Sequence, residues 1–195
     1  PALILKTCGA TFSVLDKAAM KQKISQIKNM FPNDIKLPPI YLLHGDLSKK
    51  EMNYLYNHPK VKCMVSFTHG EGFGRPLLEA TMTGLPVIAS NWSGHLDFLD
   101  TEKSILLSGE MQQVPKCQVW ENIVIEQSQW FVVNEIQTRK ALTFAFENEY
   151  EVKNKAKSLM YINRDNFTHK KMTELLNNIV DKHTESIPSQ VSLNL

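Results

Sequence analysis

The sequence contains no apolar run that approaches the ~20 residues a membrane helix needs, so no spanning segment is expected. It also lacks a block of one charge sign. Its 22 Lys and Arg stand against 20 Asp and Glu, for a formal net charge of +2, and the lysines are scattered among acids. No basic stripe emerges, which argues against a nucleic-acid partner. Cysteine is scarce. Cys8, Cys63 and Cys117 make an odd set of three without metal-ligand spacing, the pattern of reduced thiols in a cytoplasmic protein. No signal peptide is evident, so Asn91-Trp92-Ser93 and Asn166-Phe167-Thr168 read as chance matches to the glycosylation pattern. Internal repeats and low-complexity tracts are absent as well.

What is present is an ordinary globular composition, 43% hydrophobic and 22% charged, over 195 residues. That length suits one well-packed domain. Strand-like and helix-like segments alternate through the first half. Ala2 to Thr7 reads as an apolar strand ending at Cys8-Gly9. Met20, Ile24, Ile27 and Phe31 fall at helical spacing over Asp16 to Met30, and Pro32-Asn33-Asp34 stops that helix. A short strand at Ile40 to Leu43 is followed by Ser48-Lys49-Lys50-Glu51, a capping box opening the next helix. Strands at Cys63 to Phe67 and Pro86 to Ser90 flank a further helix that Gly84 closes. This rhythm predicts an α/β fold with a Rossmann-like, doubly wound parallel sheet.

The second half is less regular. Ser104 to Leu107 reads as a last short strand and 109–127 as a long irregular connection. Asn134 to Gln137 opens a helix reaching about Glu149, with further helices over Glu151 to Ile162 and Thr168 to Lys182. Met172, Leu175, Leu176, Ile179 and Val180 give the last of these one apolar face. The expected domain is 1–183, with 184–195 as a tail.

The most informative stretch is His69-Gly70-Glu71-Gly72-Phe73-Gly74-Arg75-Pro76-Leu77-Leu78-Glu79-Ala80, with Thr83-Gly84-Leu85-Pro86-Val87-Ile88 after it. Strand, glycine loop, helix, strand is a layout in which backbone N–H groups at a helix N-terminus hold a phosphate. Pro76 suits the first helical position. Glu71 and Glu79 stand at the two ends of the loop and helix.

These residues resemble the E-x7-E element of the large family of retaining GT-B glycosyltransferases that use nucleoside-diphosphate sugars. The resemblance implies a glycosyltransferase with a nucleoside-diphosphate sugar as donor. Glu79 would accept hydrogen bonds from the ribose hydroxyls, and Glu71 would lie at the donor sugar as the catalytic-side acid. Gly72, Phe73 and Gly74 would present N–H groups to the diphosphate, with Arg75, Pro76 and Leu77 opening the helix behind them. Lys6 ends a strand whose C-terminal edge faces a ligand cleft in open α/β sheets. Gly45, Asp46 and Leu47 match the loop that in this family lines the nucleobase pocket. Ser93 and Gly94 would close the donor pocket, and His95 is a minor candidate for a catalytic base. No Asp-x-Asp pair follows a strand, and Asp97-Phe98-Leu99-Asp100 has the wrong spacing for one, so neither metal nor cofactor is expected. Trp92, Trp120 and Trp130 read as packing residues rather than sugar platforms.

A GT-B enzyme has two Rossmann-like domains, and the motif belongs to the second. The chain is therefore expected to be the donor half, lacking its first strand–helix unit, and to need an N-terminal domain and an acceptor as partners. The rival readings are a degenerate glycosyltransferase-like binding or structural module and, further off, a nucleotide-sugar epimerase.

Overall fold

The computed structural model describes residues 1–7 and 14–184. Cys8-Gly9 and the tail from residue 185 onward lie outside the described residues. The chain divides into two compact units, Pro1–Met52 and Asn53–Leu195.

In the first unit, strand β1 (Leu3–Thr7) and strand β2 (Ile40–His44) pair in parallel, from Leu3 opposite Ile40 to Thr7 opposite His44. Parallel neighbours need a crossover, and helix α1 (Val14–Asn29) lies in it. Asp16 in its first turn and Lys28 in its last have the signs that suit the helix dipole. Helix α2 (Lys49–Asn57) runs through the boundary between the units. Its expected capping box is formed. The Ser48 backbone N–H donates to Glu51 Oε2 at 2.8 Å, and the Glu51 N–H returns to Ser48 Oγ at 3.3 Å.

The second unit holds a sheet ordered β3 (Met64–Ser66), β4 (Val87–Ser90), β5 (Ile105–Leu107), all parallel. All four residues of the central strand β4 are buried, as expected of a strand with neighbours on both sides and covered faces. Helix α3 (Arg75–Met82) connects β3 to β4. It starts one residue before the proline expected to open it, so Pro76 takes the second helical position. Leu77, Leu78 and Ala80 turn from it into the core with Leu85, Val87 and Ile88. The α/β, Rossmann-like arrangement read from the sequence is the one found.

Residues 109–127, expected as an irregular connection, instead begin with a strand. Strand β6 (Gly109–Gln113) pairs antiparallel with β7 (Gln129–Val133), and between them Trp120 and Val124 form an antiparallel bridge. Gly-Glu-Met-Gln-Gln carries no β-branched or aromatic residue, and all five positions are exposed. The strand exists because Trp130, Phe131, Val132 and Val133 of β7 supply what it lacks. Phe131 is buried and ties the hairpin to the core.

Helices α4 (Glu135–Glu147), α5 (Glu149–Asn166) and α6 (His169–Thr184) complete the unit. Asn134 caps α4 as expected, its Oδ1 accepting from the Gln137 N–H at 3.0 Å. Helix α5 extends beyond both expected ends and packs along α3 through Val152, Ala156 and Leu159, all buried. The apolar face of α6 from Met172 to Val180 stays substantially exposed.

Candidate functional site

Parallel strands end on a common edge, so the loops leaving β3 and β4 are neighbours by construction. The first is the glycine-rich loop from Phe67 to Gly74 and the second runs from Asn91 to Gly94. They are stitched together at Glu71. The Glu71 backbone N–H donates to Ser93 Oγ at 2.7 Å, the Ser93 hydroxyl donates to the Glu71 carbonyl oxygen, and the Gly94 N–H reaches the same oxygen at 3.0 Å. A side chain at Gly94 would overlap the Gly72 carbonyl. The Glu71 main chain is held on both sides, while its carboxylate side chain takes no part in the clamp.

Gly74 turns the loop into α3. Its φ of +80° is left-handed, and its carbonyl accepts from the N–H groups of Leu77 at 2.9 Å and Leu78 at 3.1 Å. A Cβ at this position would sit 3.0 Å from the His95 Cβ. Glycine meets both demands. The N–H groups of Gly72, Phe73 and Gly74 make no hydrogen bond to another described residue. They are donors at the positive end of a helix, the arrangement that receives an anion.

His95 is fully buried, which leaves it structural rather than reachable as a base. Its Nε2 lies 2.6 Å from the Ser90 carbonyl and so carries the hydrogen, and its Nδ1 is buried without a partner.

On α3, Arg75 Nε pairs with Glu79 Oε1 at 3.0 Å, four residues on. Both side chains are substantially exposed. Tyr56 of α2, itself buried, senses the pair. Burial foremost, then the negative charge of Glu79, push its hydroxyl up to about 12, and Arg75 partly opposes this. The side chains of Phe73, Pro76 and Leu77 have surroundings of their own. The Phe73 ring lies against Phe98, with centroids 5.3 Å apart, and Phe167 completes the aromatic group. Pro76 is exposed, and Leu77 is a core side chain.

Within the first unit, Lys6 Nζ donates to the Gly45 carbonyl at 2.7 Å and the Gly45 N–H to the Thr7 carbonyl at 3.0 Å, with Gly45 at φ +112°. The two strand-end positions singled out in the sequence therefore meet. Asp46 beside them is exposed and Leu47 half-buried.

Three contributors meet partners that the sequence did not indicate. His69 stacks on Trp130, with ring centroids 3.9 Å apart and 9° between planes, and its Nδ1 reaches the Phe131 carbonyl at 2.7 Å. Trp92 stacks in turn on Phe131. Asn163 of α5, buried, donates to Thr81 Oγ1 of α3 at 2.8 Å and to the Phe98 carbonyl at 3.2 Å. The aromatic run of β7 was visible in the sequence, but its partner was not. Among the described residues no three His, Cys, Asp or Glu side chains converge as a metal site, and no helix is long and apolar enough to cross a membrane.

Residues 37–113, from the approach to β2 through β6, match the family model of glycosyl transferases group 1. Over this stretch the chain is similar to the group 1 glycosyl transferases. It contains Gly45 to Leu47, Glu71 to Glu79 and the Ser93-Gly94 clamp, and it excludes Lys6. The matched stretch sits in a fold shared with HepE of Anabaena. The structure of HepE in complex with UDP-glucose superposes with a TM-score of 0.63 at 15% identity, covering 93% of this chain and 41% of HepE. HepE in complex with UDP and glucose gives 0.61 at 14% identity, covering 93% and 40%. At such identities the likeness is one of fold. The chain spans about two fifths of HepE's length. Among curated proteins, none matches the chain in sequence.

Proposed function

We propose that this chain is the donor-binding half of a cytoplasmic retaining glycosyltransferase that takes a nucleoside-diphosphate hexose and passes the sugar to an acceptor held by a further Rossmann-like domain. The observation that carries the reading is the set of unpartnered N–H groups at Gly72, Phe73 and Gly74, placed at the start of α3 beside a clamped Glu71. Departure of a nucleoside diphosphate builds negative charge on its phosphates. Fixed N–H donors and a helix N-terminus stabilise that charge without reorganising.

Arg75 adds a guanidinium at the same end. Glu79, released from Arg75, offers both carboxylate oxygens to the ribose hydroxyls. Glu71 faces the sugar. No resident metal or cofactor takes part.

The test is calorimetric titration of the chain with UDP, GDP, ADP and UDP-glucose, in the presence of excess chelator. UDP-glucose belongs in the panel because the fold is shared with HepE, whose structure holds it. Saturable binding of one nucleoside diphosphate in chelator is the expected result. Binding of none, with the fold intact, leaves a structural module as the better description. Binding that returns only with manganese or magnesium refutes the metal-free account.

A further inference from the structure

Ser93 and Asn122 are the non-glycine residues with positive φ among the described residues. Ser93 sits at φ +84°, ψ −169°, a region that side-chain-bearing residues occupy at a cost and that glycine enters freely. Its neighbour Gly94 is where a side chain would strike the Gly72 carbonyl. The sequence thus has glycine where space is lacking and serine where the backbone is strained. A glycine at 93 would relieve the strain. What serine adds is the hydroxyl, and both hydrogen bonds of that hydroxyl go to the main chain of one residue, Glu71.

We infer that Ser93 is a positioning residue for Glu71. It trades backbone comfort for a two-point clamp that fixes where the Glu71 carboxylate emerges from an otherwise glycine-rich loop. The Gly94 N–H adds a third contact to the same carbonyl, and His95 holds the turn from below through the Ser90 carbonyl. Between Gly70 and Gly72 the main chain has little conformational restriction of its own. Without the clamp, the carboxylate would sample many directions. The consequence for a ligand rests on the donor-site reading. Because Glu71 faces the sugar and Glu79 the ribose, the clamp bears more on recognition of the sugar than on recognition of the nucleoside.

Two variants of the chain separate this role from a structural one. Ser93→Gly removes the hydroxyl and the strain together, whereas Ser93→Ala removes the hydroxyl and keeps the strain. Amide hydrogen exchange at Glu71, read by NMR, should quicken about tenfold or more in both, the scale of losing one backbone hydrogen bond. Thermal stability should hold or rise in Ser93→Gly and fall in Ser93→Ala. With UDP and UDP-glucose as probes, the ratio of UDP-glucose to UDP affinity should fall several-fold in both variants. Unchanged Glu71 exchange in Ser93→Gly overturns the positioning role, and so does an unchanged affinity ratio in a chain that binds both probes. If the unmodified chain binds neither probe, the donor-site reading fails by itself, and the exchange measurement still decides whether Ser93 fixes Glu71.

Discussion

Asn163 in the last turn of α5 donates its side-chain amide to the Thr81 hydroxyl of α3 at 2.8 Å, across 82 residues of sequence. Thr81 passes the contact on, its own hydroxyl donating to the Leu78 carbonyl at 2.7 Å. A buried polar chain of this kind locks the helix that carries Glu79 against the C-terminal helices. Replacing Asn163 by Ala leaves the Phe98 carbonyl and part of the Thr81 hydroxyl unsatisfied in the core. It should destabilise the second unit by about 1–3 kcal/mol, the range for a stranded buried polar group. Urea unfolding measures this, and an unchanged midpoint would mean that water replaces the amide.

Glu79→Ala should weaken nucleoside-diphosphate binding by about 1.5–3 kcal/mol, the range for hydrogen bonds to a charged group. Arg75→Ala removes an exposed i,i+4 ion pair, whose contribution to stability is only about 0.3–0.5 kcal/mol. Its melting temperature should therefore barely move. A drop in affinity for Arg75→Ala at constant stability assigns the guanidinium to the phosphates; equal affinity for the two chains limits Arg75 to holding Glu79 when no ligand is bound.

Gly74→Val should abolish donor binding while the domain stays folded. The new side chain would require a left-handed φ of a β-branched residue and press on the His95 Cβ 3.0 Å from the new Cβ position. Such strain is of order 1–3 kcal/mol. The apolar contacts of Leu77 and Leu78 lie beyond it and should hold the helix. Far-ultraviolet circular dichroism paired with calorimetry checks both halves, and normal donor affinity would remove the phosphate-loop reading.

Alkaline pH should loosen the second unit. The Tyr56 hydroxyl is raised from 10.0 to about 12, by burial first and the Glu79 charge second. A folded state that holds its proton more tightly than the unfolded chain is stabilised below the unfolded value and loses that stability as pH rises through the folded one. The decline should fall between pH 10.0 and about 12. The Cys63 thiol, raised by burial from 9.0 to about 12, adds a fall of the same sign starting lower. Tyr56→Phe should flatten the upper part of the curve in urea titrations at stepped pH. An identical slope in the variant would show that Tyr56 ionises as freely folded as unfolded.

Local chemistry decided what could be read from the sequence. The Ser48–Glu51 box, the Asn134 cap, the turn at Gly74 and the stop at Gly84 all act within four residues. Their physics is complete in a short window. Alternating strands and helices announced the parallel sheets for the same reason, since a parallel pair requires the crossover that lies between its strands. The glycine loop with its two glutamates carried the family resemblance.

Tertiary structure alone decided which residues support that loop. Ser93 meets Glu71 over 22 residues, the Phe131 carbonyl meets His69 over 62, and Asn163 meets Thr81 over 82. Strand β6, with no strand-forming residue of its own, exists only because β7 comes beside it. The serine hydroxyl, the imidazole and the amide could each have bonded water or a nearby carbonyl. Nothing in their immediate sequence names a partner, because a hydrogen bond is specified by where the chain brings its acceptor once the core has closed.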